Sequence, residues 1–234
     1  SQSAANPSWR GPGIFVLGGL CFAWMGALAK LTSNRIPTFE LVTARFALTW
    51  AVVEFVRRRA GVPLRFAQRP ALVSRSVAGA ISVFLYFFAL RSIPLSHAVL
   101  LNNTSPVLTA LGAVLVLGER PSWLKAACLM VSMAGVWLLL QTDGGGPIGI
   151  GTWAAAASAV TAAWALVSLK VATRENRSVI VVWSLAAVGT VASAVAGVAQ
   201  GDWVQPDWRD ACLMAGTGVL SGAAQLLEIG RAQV

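Results

Sequence analysis

The sequence predicts an all-α polytopic membrane protein, and three observations carry that expectation. Of its 234 residues 56% are hydrophobic and only 12% are charged, about half the charged share of a soluble domain. The apolar residues run in blocks, 13–31, 95–117 and 123–140, each close to the roughly 20 residues with which a helix crosses a bilayer core of about 30 Å. None of these blocks shows the polar face at a 3.6-residue period that a soluble core helix carries.

Eight spans are expected, at 13–32, 38–56, 72–91, 95–117, 122–141, 148–171, 179–199 and 210–229. The first is too long for a signal-peptide core and lacks a small-residue cleavage site, so it reads as a spanning helix, although the chain begins at Ser1 and suggests a trimmed start. Pro37 separates it from the second span, which ends at Arg57, Arg58 and Arg59. Pro63 and Pro70 bracket the connection to the third, Pro94 opens the fourth, and Pro121 opens the fifth. A turn of Asp143, three glycines and Pro147 precedes the sixth, 176–178 precedes the seventh, and Pro206 precedes the eighth. Proline withholds a backbone donor and glycine frees the backbone, so these are natural helix boundaries.

Basic residues in short connections set the orientation. With the N-terminus cytoplasmic, the inner side carries Arg10, Arg57, Arg58, Arg59, Arg65, Arg69, Arg75, Arg120, Lys125, Lys170, Arg174, Arg177 and Arg231. The outer side carries Lys30, Arg35, Arg91 and Arg209, with Asp202, Asp207 and Asp210. The expected location is therefore a bacterial inner membrane with the N-terminus inside. The arginine cluster also suits anionic lipid headgroups.

The formal net charge of +9 does not indicate nucleic acid, because the basic residues lie in short loops with no basic and aromatic surface to track phosphates. Cys21, Cys128 and Cys212 are scattered through apolar blocks and form no CxxC pair, which excludes a disulfide framework or thiolate metal site. No cofactor and no metal are expected. The single histidine, His97, has no HExxH or Gly-x-Ser-x-Gly motif around it, and the spans hold no paired aspartates, so an enzyme is not expected.

Sliding the chain on itself by 140 residues pairs Ala23 and Trp24 with Ala163 and Trp164, and Lys30 with Lys170. A shift of 139 sets Gly79 on Gly218 and Ser82 on Ser221. Five spans per unit, an odd number, puts the second unit into the membrane upside down. The expected architecture is two inverted five-helix repeats, 1–143 and 144–234, the second incomplete. Inverted repeats are common in secondary transporters, with substrate bound between the halves.

Several motifs resemble the EamA-type branch of the drug/metabolite transporter superfamily. They are Ala23-Trp24, Ala44-Arg45-Phe46, Phe87-Phe88-Ala89-Leu90, Pro94-Leu95-Ser96, the run from Leu100 to Pro106, and Leu117-Gly118-Glu119-Arg120-Pro121. The resemblance covers nearly the whole chain and implies ten helices around a central cavity, both ends cytoplasmic, and metabolite substrates. The present chain stops at Val234, after the eighth span. It is expected to be a fragment lacking two helices; a shortened chain that closes its cavity as a homo-oligomer is the alternative.

A charge at the bilayer centre costs roughly 2.5–3.5 kcal/mol on the lenient scale, so polar residues inside spans need a cause. Arg45 is the one basic residue well inside a span; it reads as an anchor for an anionic group or as an ion-pair partner of Glu40 or a neighbouring carbonyl. Asn102, Asn103, Thr104 and Ser105 precede Pro106 in mid-span and read as cavity-lining amides or as a hydrogen-bonded kink. Trp24 and Trp164 sit at equivalent positions of the 140-residue shift and, with Tyr86, offer aromatic faces to a substrate or to lipid. Gln225 is a further cavity candidate, while Trp9, Trp123, Trp203 and Trp208 read as interfacial belt. The functional expectation is a secondary transporter of a small metabolite, such as an amino acid or related compound. A non-transporting scaffold is the alternative.

Overall fold

A computed structural model of the chain describes residues 10–67, 69–118, 149–201 and 203–230, with scattered positions between 123 and 138. Among the described residues the regular structure is entirely helical. The helices are α1 (Arg10–Thr32), α2 (Thr38–Arg59), α3 (Arg69–Ser92), α4 (Leu95–Asn102), α5 (Ser105–Leu117), α6 (Ile150–Ala172), α7 (Ser178–Gln200) and α8 (Trp208–Gly230). Among the described residues four segments are long and apolar enough to cross a membrane: Arg69–Ser92, Leu95–Val116, Ile150–Ala172 and Ser178–Gln200. The fifth expected span, the turn at 143–147 and Glu119 lie largely outside the described residues.

The fourth expected span is one apolar segment, Leu95–Val116, built of two helices, α4 and α5. Asn103 and Thr104 form a turn between α4 and α5, and Pro106 falls in the first turn of α5, where its missing N–H breaks no helical bond. Thr104 Oγ1 donates to the Leu101 carbonyl at 2.7 Å, satisfying one of the acceptors that the break releases. Thr104 therefore serves the break itself.

α2 and α7 cross antiparallel at the centre. Thr43 Oγ1 donates to Ser193 Oγ at 2.9 Å near one end of the crossing, and Trp183 Nε1 donates to Glu54 Oε2 at 2.9 Å near the other. α3 lies antiparallel to α6, joined by Ser74 and Ser168 at 3.0 Å and by Ser82 Oγ donating to the Ser158 carbonyl at 2.9 Å. α1 packs against α8. α3 runs parallel with α7 through Ser76 and Ser184 at 3.1 Å, and α2 with α8 through Thr49 Oγ1 and the Gly218 carbonyl at 3.0 Å. Small residues dominate these seams because close backbone approach replaces the hydrophobic drive that lipid cannot supply. Met25, Phe46, Phe87, Leu185 and Met214 close the central core between five helices.

The bounds of α1 and α6 differ by 140 residues at both ends, and α2 and α7 start with the same offset. The turns between them share their bonds: Ser33 N to Ala29 O beside Thr173 N to Leu169 O, both 2.9 Å, and Ile36 N to Thr32 O beside Asn176 N to Ala172 O, 3.1 and 3.2 Å. Gly61 follows α2 at φ 61° and Gly201 follows α7 at φ 72°. That left-handed conformation ends a helix cheaply only without a Cβ. α3 and α8 start 139 residues apart.

Lys30, in the last turn of α1, donates to the carbonyls of Leu90 and, at 2.9 Å, of Ile93. These belong to the C-terminal turn of α3 and its exit, where a cation also meets the negative end of the helix dipole. Lys30→Met is expected to lower stability by about 1–2 kcal/mol. Thermal unfolding in detergent measures it, and an unchanged midpoint would show that the ammonium is as well served by water.

Candidate functional site: an aromatic cavity at one end of the bundle

A cavity of about 630 Å³ opens where α2 and α6 begin and α3 and α7 finish. Phe39 and Glu40 come from the first turn of α2, Phe84, Phe88 and Arg91 from the second half of α3. Trp153 of α6 and Trp203 of the α7–α8 connection complete its aromatic wall. A second cavity of about 200 Å³ shares Phe39, Phe84 and Leu85 with the first and continues along α2 and α7 to Val42, Phe46 and Gly189. The two lie next to each other along the α2–α7 crossing, with Phe39, Phe84 and Leu85 as their common wall.

The wall is ordered by its own contacts. Phe39 stacks on Phe84 with centroids 4.5 Å apart, and Phe84 on Phe88 at 6.5 Å. A Cβ on Gly189 would lie 2.7 Å from the Phe46 ring, so the glycine is what lets that ring lie flat on α7. Glu40 is only 5% exposed, and its Oε2 accepts the Val204 amide at 3.1 Å. This bond ties the α7–α8 connection to the cavity mouth.

The other end of the crossing is packed. Trp183 meets Trp50 and Phe66, each with centroids 5.9 Å away. Glu54 accepts from Trp183, from Arg57 through two bonds of 2.7 Å, and from Arg58 at 2.5 Å. Asn176 holds the connection after α2 by bonding both the N–H and the carbonyl of Ala67, at 2.9 and 2.8 Å. The cavity thus opens at one end of the crossing, and an aromatic cluster around Trp183 lies at the other.

Arg45 stands behind Phe46. Its guanidinium carbon lies 5.1 Å from the Phe46 ring centroid and 5.4 Å from that of Phe87, and the residue is 3% exposed. Nε and Nη1 meet no hydrogen-bond partner, and the ion pairs among the described residues belong to Glu54. Glu40 is thus not its counter-ion; the Phe46 and Phe87 ring faces lie beside the cation. Tyr86 also packs edge-on against Phe87 at 6.0 Å.

The other residues singled out by the sequence are dispersed. Asn102 Nδ2 donates to Ser158 Oγ at 2.9 Å, tying α4 to α6, and Asn103 is exposed at the helix break. Gln225 is buried on α8, with Nε2 at 3.5 Å from Ser221 Oγ and Oε1 unpartnered. Trp24 is 65% exposed and Trp164 51%. Neither lines the cavity, and the Trp164 indole donates to Ser74 Oγ at 3.0 Å. They do not form the facing pair that their equivalent positions suggest.

Two features escaped the sequence reading. Trp203, read as interfacial, also lines the cavity. Arg75, counted with the loop cations, is buried on α3, its Nε unpartnered and its Nη1 against Gly79. Its place inside its own apolar span was the available signal. The Phe84–Phe88 pair, four residues apart on one helix face, was the available signal for the wall.

Residues 9–141 match the EamA-like transporter family. The pseudopaline exporter CntI of Pseudomonas aeruginosa is 30% identical over 91% of this chain and 75% of the exporter. Human solute carrier family 35 member G1 is 24% identical over 83% of the chain and 58% of the carrier. A crystal structure of another protein superposes with a TM-score of 0.72 at 25% identity, over 94% of this chain and 79% of that one.

Proposed function

This chain belongs to the EamA-like transporter family, an integral membrane transporter rather than an enzyme, and on that premise we propose that it moves a small metabolite by alternating access. The observation that carries the reading is the 630 Å³ aromatic cavity, which opens at one end of the α2–α7 crossing while Trp183, Trp50 and Phe66 cluster at the other. A carrier requires a path that is accessible from one side at a time.

The architecture of two inverted repeats is supported by the 140-residue offset of helix bounds and turn bonds. Helix partners support it as well: exchanging α1, α2 and α3 with α6, α7 and α8 turns the α3–α6 contact into α8–α1 and the α3–α7 contact into α8–α2, and all four occur. The boundary between repeats falls near residue 143. With the N-terminus cytoplasmic, in a bacterial inner membrane, the cavity opens to the outside.

Arg45 is the substrate anchor in this reading. It is a buried guanidinium with unused donors directly behind the Phe46 wall of the smaller cavity, and a guanidinium fork suits a carboxylate or other planar anion. Tyr86 shapes the same region, and Gln225 offers an unused acceptor on α8. The relative named as a pseudopaline exporter favours outward movement of an amino acid or related compound.

Reconstituted into liposomes, the protein is expected to move at least one member of a panel of amino acids, amines, nucleosides and organic anions down an imposed gradient. Failure across the whole panel, with the protein folded and inserted, would overturn the reading.

A further inference from the structure

Glu40 and Arg91 are opposite charges on one aromatic cavity. Glu40 lies in the first turn of α2 and Arg91 in the last turn of α3, so they approach the cavity from different helices. They are not paired with each other: the ion pairs within 4.0 Å among the described residues are those of Glu54 with Arg57 and Arg58. A carboxylate 5% exposed and held only by a backbone amide 3.1 Å away is costly unless a cation completes it. The same cavity is lined by apolar rings, Phe39, Phe84, Phe88 and Trp153 among them.

We propose that this cavity is a binding site for amphoteric molecules whose cationic and anionic groups lie at opposite ends of an apolar body, with Glu40 receiving the cation and Arg91 the anion. The proposal rests on reading the cavity as the substrate's outer vestibule, and adds to it a first station that selects by charge before the ligand reaches Arg45. The rings receive the apolar body and add cation–π attraction beside Glu40. A ligand without a cation leaves the buried Glu40 uncompensated, and one without an anion forgoes the contact that Arg91, exposed on the same cavity, offers, so both ends are read at once. Glu40 has a second consequence, because the same carboxylate restrains Val204 in the α7–α8 connection. A bound ammonium shares that carboxylate and loosens the connection at the mouth.

Three probes with one cyclohexane body separate the terms: trans-4-(aminomethyl)cyclohexanecarboxylate, cyclohexylmethylamine and cyclohexanecarboxylate. Binding is read on the full chain in lipid nanodiscs by microscale thermophoresis. The amphoteric probe is expected to bind at least about tenfold tighter than either singly charged one, since one charge-assisted contact is worth about that much. Glu40→Gln is expected to remove the preference over cyclohexanecarboxylate, and Arg91→Gln the preference over cyclohexylmethylamine. Val204→Pro removes the amide donor but leaves the charge, and is expected to keep the selectivity of the unmodified protein. Equal affinities for the three probes, or a Glu40→Gln protein with unaltered selectivity, would overturn the proposal. So would a Val204→Pro protein that behaves as Glu40→Gln does, for the carboxylate would then act only through the connection. Liposome flux distinguishes the two readings: transport without charge selectivity at the vestibule removes this proposal alone, whereas charge-selective binding without flux of any substrate removes the transport reading and leaves the site.

Discussion

Replacing Arg45 with methionine is expected to cut substrate flux by roughly ten- to a hundredfold while leaving the fold as stable as before, or more so. The two effects separate because of what surrounds the guanidinium. It is buried between the Phe46 and Phe87 rings with Nε and Nη1 unpartnered, so its charge is desolvated without a protein counter-ion among the described residues. An apolar side chain of similar length keeps the packing and removes the desolvation cost, the situation in which replacing buried charge is neutral or stabilising. A substrate anion loses a charge-assisted contact worth about 1.5–3 kcal/mol, which sets the expected loss of flux. Liposome flux and thermal unfolding on the same preparation check both halves. Undiminished flux would make Arg45 a structural cation held by its rings. A large fall in melting temperature would show that the charge has a partner within the fold.

Gly218→Ala is the second large effect, and it falls on stability. A Cβ at Gly218 would overlap the Leu48 Cβ and come within 3.2 Å of the Arg45 carbonyl oxygen. Both atoms belong to the rigid part of α2, so relief requires the helices to part, and overpacking of this kind costs about 1–3 kcal/mol. Gly79→Ala makes the informative comparison. Its Cβ would overlap the Arg75 Nη1 and lie 2.8 Å from the Leu185 Cδ1, the ends of side chains that can rotate aside. Unfolding in detergent should therefore rank Gly218→Ala well below Gly79→Ala, although both glycines sit at comparably tight contacts. The reverse order would mean that the Arg75 guanidinium is held as firmly as backbone.

The four segments that are long and apolar enough to cross a membrane among the described residues fall on the spans expected at 72–91, 95–117, 148–171 and 179–199, because the demand for lipid-facing surface acts on every residue of a span and needs no knowledge of its neighbours. The break inside 95–117 was half legible. Asn103, Thr104 and Pro106 announced a disturbance, but a kink and a full interruption use the same residues. The resemblance carried by Ala44-Arg45-Phe46 and Leu117-Gly118-Glu119 placed the chain among EamA-type transporters, and residues 9–141 match that family. Glu40, read from the sequence as a partner for Arg45, lines the cavity and bonds Val204 instead.

The sequence by itself determined that the chain is a helical membrane protein, where most of its helices begin and end, and to which family it belongs. These follow from one-dimensional properties: block length, proline and glycine positions, and motif spacing. Which side chains share a cavity was decided only by tertiary structure. Trp24 and Trp164, alike in sequence, are exposed at 65% and 51%, while Trp203, from a connection that reads as interfacial, closes the aromatic wall. A membrane helix is apolar on its lipid face and on its packed face alike, so hydropathy does not distinguish the two. The rotation of each helix is chosen by its neighbours, through contacts such as Phe46 on Gly189 and Thr49 on Gly218, and with it the face that meets the substrate path.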